Sequence, residues 1–184
     1  MIAKIVVKCV LILVAIAAAM FLVNALITDK FDTLRKRAAV EPLAFATVSE
    51  RERQLDCMAQ NIYWEAANEP AEGKIAVAQV VVNRANSGKF PRDLCRVIYQ
   101  KNVVYERVIC QFSWYCEQGK DRRRMDPELY EESMAAATKV VMEGFRLPAL
   151  EKALYYHADY VNPQWRKDPV IQIGRHIFYQ DHEK

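Results

Sequence analysis

Residues Tyr63 to Gln100 read YWEAANEPAEGKIAVAQVVVNRANSGKFPRDLCRVIYQ, and the fold turns on how this stretch is divided. Asn68-Glu69-Pro70 is a break, because the residue before a proline is biased away from helix. Upstream, Leu55, Met58, Ile62 and Ala66 recur at helical spacing, which predicts a helix over Glu50–Ala67. Ser49 stands where its N-cap belongs, with Glu52 three residues on to complete a capping box. Downstream, Ala71–Ala85 is apolar on most faces, so it reads as a helix buried at the centre of a domain. Gly88 and Pro91 mark a loop, and a short helix is expected over Asp93–Gln100.

Working outward, Val103–Phe112 is rich in β-formers and reads as a strand or extended loop. Asp126-Pro127 opens another helix, with aspartate as N-cap and proline at the first position; it runs to Glu143, and Gly144 suits the residue after its end. The C-terminus changes character. Leu154–His157, Val170–Ile173 and His176–Tyr179 read as three short strands, with Gly174-Arg175 as a hairpin turn. Helices first and strands last predict an α+β domain, and no internal repeat is present.

The chain has 184 residues, 52% apolar and 27% charged, enough for one domain or one domain plus an anchor. The formal net charge is +3, of which residues 1–30 carry +2 through Lys4, Lys8 and Lys30 against Asp29. A nearly balanced body excludes nucleic acid as the main partner, since phosphate binding needs concentrated positive charge. Cys9 to Ile27, CVLILVAIAAAMFLVNALI, is uncharged. At ~1.5 Å rise per residue it covers about 28 Å, close to a bilayer's hydrocarbon core. The run exceeds the core of a cleaved export signal and continues past Val23-Asn24-Ala25, so an uncleaved signal anchor is expected. The expected organisation is an anchor at 1–28, a linker at 29–49 and a domain at 50–184. The basic residues on both sides of the anchor leave its orientation open, but Cys57, Cys95, Cys110 and Cys116 form an even set suited to an oxidising compartment. Four cysteines allow three pairings, which the sequence does not choose between; four buried thiols are the other reading. No CxxC pair suggests zinc.

Signatures of serine nucleophiles, P-loops and HExxH metal sites are absent. His157, Asp159 and His176 form a weak candidate metal set, against the ordinary reading of histidines hydrogen-bonded within a sheet. The carboxylates Glu65, Glu69 and Glu72 are more informative. Glu65 lies in the last turn of the first helix beside Trp64. Desolvation against aromatic surface and the helix C-terminal dipole both disfavour its carboxylate, which suits a general acid. Glu69 and Glu72 read as charges at the start of the second helix. Tyr155, Tyr156, Tyr160, Asn162 and Trp165 crowd together, and Gln111, Phe112 and Trp114 form a second group. Aromatic faces with amides suit a sugar, although core packing is the commoner role of such rings.

These residues together resemble the SleB-type cell-wall hydrolases, the spore-cortex-lytic enzymes. The blocks are the Tyr63–Gln100 stretch, CQFSWYC, ALYYHADYVNPQW and IGRHIFYQ, spanning Leu55 to Gln180. The resemblance implies a lysozyme- or transglycosylase-like helical lobe beside a small antiparallel sheet. It implies cleavage of the β-1,4 bond between N-acetylmuramic acid and N-acetylglucosamine, without a cofactor. The family's catalytic acid falls on Glu65, and the candidate substrate-binding residues are Gln111, Phe112, Tyr156, His157, Asn162 and Trp165. Other members can carry Asn at His157, which argues against a catalytic histidine there. A one-acid lytic transglycosylase is the leading expectation, with a two-carboxylate muramidase and a metal-dependent amidase or peptidase as alternatives. The expected partners are peptidoglycan glycan strands and, through residues 9–27, a membrane, with the catalytic domain in the periplasm. A bacterial wall-remodelling enzyme and a phage endolysin released from its anchor both fit. No separate peptidoglycan-binding repeat is expected beside the domain, so spore-cortex specificity is not implied.

Overall fold

A computed structural model of the chain describes residues 17, 18, 20–25, 47–117 and 125–182. The chain divides into two units, residues 1–38 and 39–184. In the first, residues 17, 18 and 20–25 are helical. Most of the expected anchor, Cys9 included, and residues 29–46 of the expected linker lie outside the described residues; among the described residues no helix is long and apolar enough to cross a membrane.

The second unit is an α+β domain. In chain order it holds α1 (Val48–Ala66), α2 (Ala71–Asn86), α3 (Leu94–Ile98), β1 (Lys101–Val104), β2 (Arg107–Cys110), α4 (Ser113–Cys116), α5 (Pro127–Val141), a 3-10 turn (Pro148–Leu150), β3 (Tyr155–Ala158), β4 (Asp168–Ile173) and β5 (His176–Gln180). Helix α2 is the centre. Val77, Val80, Val81 and Val82 are fully enclosed, α1 and α5 pack along it, and the sheet β3-β5-β4 lies beside it. Met58 and Ile62 of α1 and Val140 and Val141 of α5 fill one core, while Leu150, Ile173 and Phe178 fill a smaller one against Ala76 and Val80.

Two expectations change. The N-cap of α1 is Thr47, whose Oγ1 accepts the Glu50 N–H at 3.1 Å; Ser49 lies inside the helix and bonds the Thr47 hydroxyl instead. Val103–Phe112 is not one strand. β1 and β2 form a hairpin closed by Tyr105 and Glu106 at φ +48° and +63°. Neither is the Gly or Asn that normally announces such a turn, so no sequence signal divided the run. By contrast, Asp126 caps α5 as expected, accepting the N–H of Glu128 at 3.0 Å and of Leu129 at 3.2 Å.

The polar residues on α2 explain how the sheet is placed. Gln79 bonds both the N–H (2.7 Å) and the C=O (3.1 Å) of Leu147. The Asn83 amide donates to the carbonyls of Leu150 (2.7 Å) and Ala153 (2.8 Å), and Arg84 Nε donates to Leu154 O at 2.7 Å. One face of α2 thus grips the whole run leading into β3, satisfying backbone groups that burial would otherwise leave unpaired.

Two disulfides staple the domain. Cys57–Cys95 joins α1 to α3 and Cys110–Cys116 joins β2 to α4, at sequence separations of 38 and 6. Loop-closure entropy makes the first worth about 4 kcal/mol and the second about 2 kcal/mol.

Candidate active site

Glu65 stands in the last turn of α1, just before the Pro70 break, where the helix ends against the sheet. Part of its surface stays open to solvent. Tyr156, from β3, donates its hydroxyl to Glu65 Oε2 at 2.9 Å. Burial pushes the carboxyl above the ordinary glutamate value; the Tyr156 bond and the Arg84 charge pull it back, and the Glu117 charge pushes it further up. Burial, reinforced by the neighbouring Glu65, holds the Tyr156 phenol well above its usual value, so this tyrosine remains a donor. A carboxyl raised in this way holds its proton more readily than an ordinary glutamate, as a general acid must.

Arg84 is the member of the site that the sequence reading missed. It is 4% exposed, and its guanidinium lies 5.3 Å from the ring centroids of both Phe90 and Phe112. Its Nη1 is buried without a hydrogen-bond partner. Burial lowers its pKa while Tyr156, Tyr155 and Glu65 oppose that shift. The available signal was an arginine near the end of an otherwise apolar helix, since a charge is buried only where something holds it.

The expected substrate-binding residues do not form one cleft. Tyr156 joins Glu65 through its hydroxyl, so it touches the acid. Phe112 is a correction: at 3% exposure it belongs to the core beneath Arg84 and has no free face for a sugar. Gln111 is half-buried at the foot of the hairpin, its N–H donating to Gln100 O at 2.9 Å. Beside the acid, Trp64 is 40% exposed and stacks with Trp114 at 6.3 Å and 22°, while Trp114 Nε1 donates to Asn61 at 3.0 Å.

His157 and Trp165 lie across the sheet from that group. Side chains alternate along a strand, and β3 pairs Tyr156 with Phe178 but His157 with Ile177. Tyr156, His176 and Phe178 therefore form an inner face, with Tyr156 5.1 Å from His176 and 5.6 Å from Phe178. Tyr155, His157 and Tyr179 form the outer face, where Trp165 meets all three rings. A pocket of about 310 Å³ opens there, lined by His157, Asp159, Asn162, Trp165, Ile177 and Tyr179 among others.

The same alternation separates the candidate metal ligands. His157 Nδ1 lies 2.9 Å from Ala158 O, which can only accept, so Nδ1 carries the proton and Nε2 accepts the Tyr179 hydroxyl at 2.8 Å. Asp159 is paired with Arg175 at 3.1 Å. His176 faces inward, its pKa lowered by burial, with Nδ1 4.0 Å from Glu69 Oε1. Among the described residues no group of three His, Cys, Asp or Glu side chains is placed to hold a metal. Glu69 does more than charge a helix start: its Oε2 accepts the Arg175 N–H at 3.0 Å, under the β4–β5 turn. Glu72 is exposed in the first turn of α2.

The sequence profile of a family described as Cell Wall Hydrolase matches residues 68–179. The spore cortex-lytic enzyme of Bacillus subtilis (strain 168) is 30% identical over 129 residues, 66% of this chain and 35% of that protein. That of Halalkalibacterium halodurans is 25% identical over 151 residues, 80% of this chain and 41% of that protein. The chain therefore spans less than half the length of these curated relatives. The catalytic domain of the Bacillus cereus SleB protein superposes with a TM-score of 0.51 at 25% identity, over 70% of this chain and 91% of that one. The catalytic domain of a germination-specific lytic transglycosylase, SleB from Bacillus anthracis, has the same fold, with a TM-score of 0.53 at 24% identity over 75% and 100% of the two chains.

Proposed function

This chain belongs to the cell wall hydrolase family, and from that premise we propose that it degrades peptidoglycan as a lytic transglycosylase with Glu65 as its single general acid and base. Glu65 protonates the oxygen linking N-acetylmuramic acid to N-acetylglucosamine, and the bond from that oxygen to muramic C1 breaks. The muramic C6 hydroxyl then attacks C1 and returns its proton to Glu65. The products are a 1,6-anhydromuramic end and a free hydroxyl on the departing sugar. The nucleophile is already attached to the reacting ring, so proximity replaces an activated water. Trp64 and Trp114 offer stacking surface beside the acid, and Gln111 an amide.

The observation that carries this reading is the Tyr156 hydroxyl on Glu65 Oε2 at 2.9 Å, which fixes one desolvated carboxyl at the mouth of a helix–sheet junction. Glu69 and Glu72 support a one-acid scheme. Glu69 is engaged with the Arg175 N–H and Glu72 is exposed at the start of α2. Glu117, whose charge acts on Glu65, is the specific observation favouring a second reading. In that reading it is the second carboxylate of a muramidase, about 5–5.5 Å away for retention or about 6.5–9.5 Å for inversion. We place the domain in the periplasm, tethered by residues 9–27, an arrangement that suits the two disulfide pairs.

Mass spectrometry of fragments released from purified sacculi tests the proposal. The full chain should yield anhydromuramic ends, and Glu65→Gln should lower their release at least ~100-fold. Reducing muramic ends would establish hydrolysis instead, and equal release by both proteins would remove Glu65 from the chemistry.

A further inference from the structure

We propose that the pocket on the outer face of the three-stranded sheet is a second saccharide site, which takes one uncharged acetamido-sugar ring of a glycan strand apart from the ring being cut. The inference takes its ligand class from the peptidoglycan reading, and its physical case from the pocket itself.

Trp165 is 46% exposed, yet it meets three rings of the sheet's outer face. Tyr155, His157 and Tyr179 lie 6.2, 5.7 and 6.0 Å from its ring centroid, at interplanar angles of 64°, 86° and 77°. Edge contacts of this kind fix an aromatic ring, and nearly half of the Trp165 surface remains open to a ligand. His157 and Tyr179 also stack on each other at 5.1 Å and 25°, which fixes two of the rings that Trp165 meets. Stacking platforms prepared in this way bind without paying to order themselves.

The charges in the pocket are already matched. Both His157 nitrogens are bonded within the protein, and Asp159 is held by Arg175. A cation would have to displace Arg175, and an anion would find no free positive group among the lining residues. What remains is aromatic surface, the apolar patches of Val161, Pro163 and Ile177, and the exposed amide of Asn162. That combination matches a pyranose bearing an N-acetyl group: carbon–hydrogen faces for the rings, a methyl for the apolar patches, and an amide for the Asn162 amide. The volume, about 310 Å³, stands at the small end of ligand pockets and suits one ring.

Its position gives it a role. The inner face of the same strands carries Tyr156, which holds Glu65, while the pocket opens from the outer face. A ring bound there is not at the scissile bond. The site would retain a strand, or a neighbouring one, while Glu65 works elsewhere on the network. Linking two such contacts raises the effective concentration of substrate at the acid.

The test is chitotetraose titrated into the full chain in a sugar-free detergent, observed through the indole N–H signals of Trp64, Trp114 and Trp165. Trp165→Phe assigns the third signal. The Trp165 signal should shift and saturate, in wild type and in Glu65→Gln alike. Asn162→Ala should weaken binding at this site several-fold, read on the Trp165 signal, with a near-native melting temperature. A Trp165 signal that stays still while sacculi are cleaved overturns the pocket and leaves the catalytic reading standing. A signal that shifts in a protein that cleaves no sacculi supports the pocket and removes the catalytic reading.

Discussion

The two faces of the three-stranded sheet are built from the same nine residues of β3 and β5, yet they do opposite things with them. Inward, Tyr156, His176 and Phe178 are pressed against helices, and the polar groups among them are few and strained by burial: a carboxyl pushed up, an imidazole pushed down, a phenol pushed far up. Outward, His157 and Tyr179 have their polar atoms bonded and line a pocket. Under the two proposals above, reactivity goes with incomplete electrostatic matching, and the binding platform with matching that is complete. The contrast also shows why neighbouring residues in one sequence block, Tyr156 and His157, can belong to different sites: alternation along a strand sends them apart.

The severest way to break this arrangement is at the turn on which both faces depend. Gly174 has φ +57°, and a Cβ there would stand 1.8 Å from Glu69 Oε2 and 3.2 Å from Pro70 Cδ. Gly174→Ala should therefore lose about 3 kcal/mol of stability, from a left-handed backbone carrying a side chain and from displacement of the Glu69–Arg175 hydrogen bond. Chemical denaturation would measure it, and both cleavage and chitotetraose binding should suffer at 37 °C. A loss below about 1 kcal/mol would mean that the turn does not tie the faces together.

A second substitution separates the faces. The fold raises the Glu65 carboxyl above its unfolded value of about 4.3. The stability this group contributes is thus present below that unfolded value and lost as pH rises through the raised folded value. Glu65→Gln should melt higher than wild type at pH 7, with the gap closing as pH falls below about 4. Scanning calorimetry at several pH values checks this. Equal melting temperatures across the range would show that burial costs the carboxylate nothing.

The subtlest prediction concerns the pH profile. A general acid must start protonated, so the alkaline limb of the rate follows Glu65. Tyr156→Phe removes a bond that stabilises the carboxylate and Arg84→Met removes a favourable charge, so each should move that limb to higher pH. Arg84→Met also leaves Leu154 O unpaired, costing about 1–3 kcal/mol. Both variants need profiles of kcat/KM on sacculi, with Arg84→Lys restoring the charge as a control. A limb that stays in place would confine Arg84 and Tyr156 to packing.

The elements whose local chemistry is strong were legible in the sequence. Asp126-Pro127 opened α5, Pro70 divided α1 from α2, and the strands around Gly174-Arg175 paired as expected. Glu65 stood out because a carboxylate beside Trp64 at a helix end is unusual on local grounds alone. The β1–β2 turn was invisible because Tyr105 and Glu106 carry no turn signature.

By itself, then, the sequence determined a helical lobe followed by a small sheet, a balanced body behind an apolar N-terminal run, and a suspect acid at the end of α1. These follow from period, capping and composition, which act over a few residues. Tertiary structure alone decided the rest: that Arg84 is buried within reach of Glu65's charge, that Tyr156 donates to it across 91 positions, that Cys57 pairs with Cys95, and that Phe112 turns into the core. Those outcomes depend on which distant surfaces are pressed together and on which side of a strand a residue falls. Burial and charge are properties of that assembled surface, so the environment that raises the Glu65 carboxyl above an ordinary glutamate is written only in the fold.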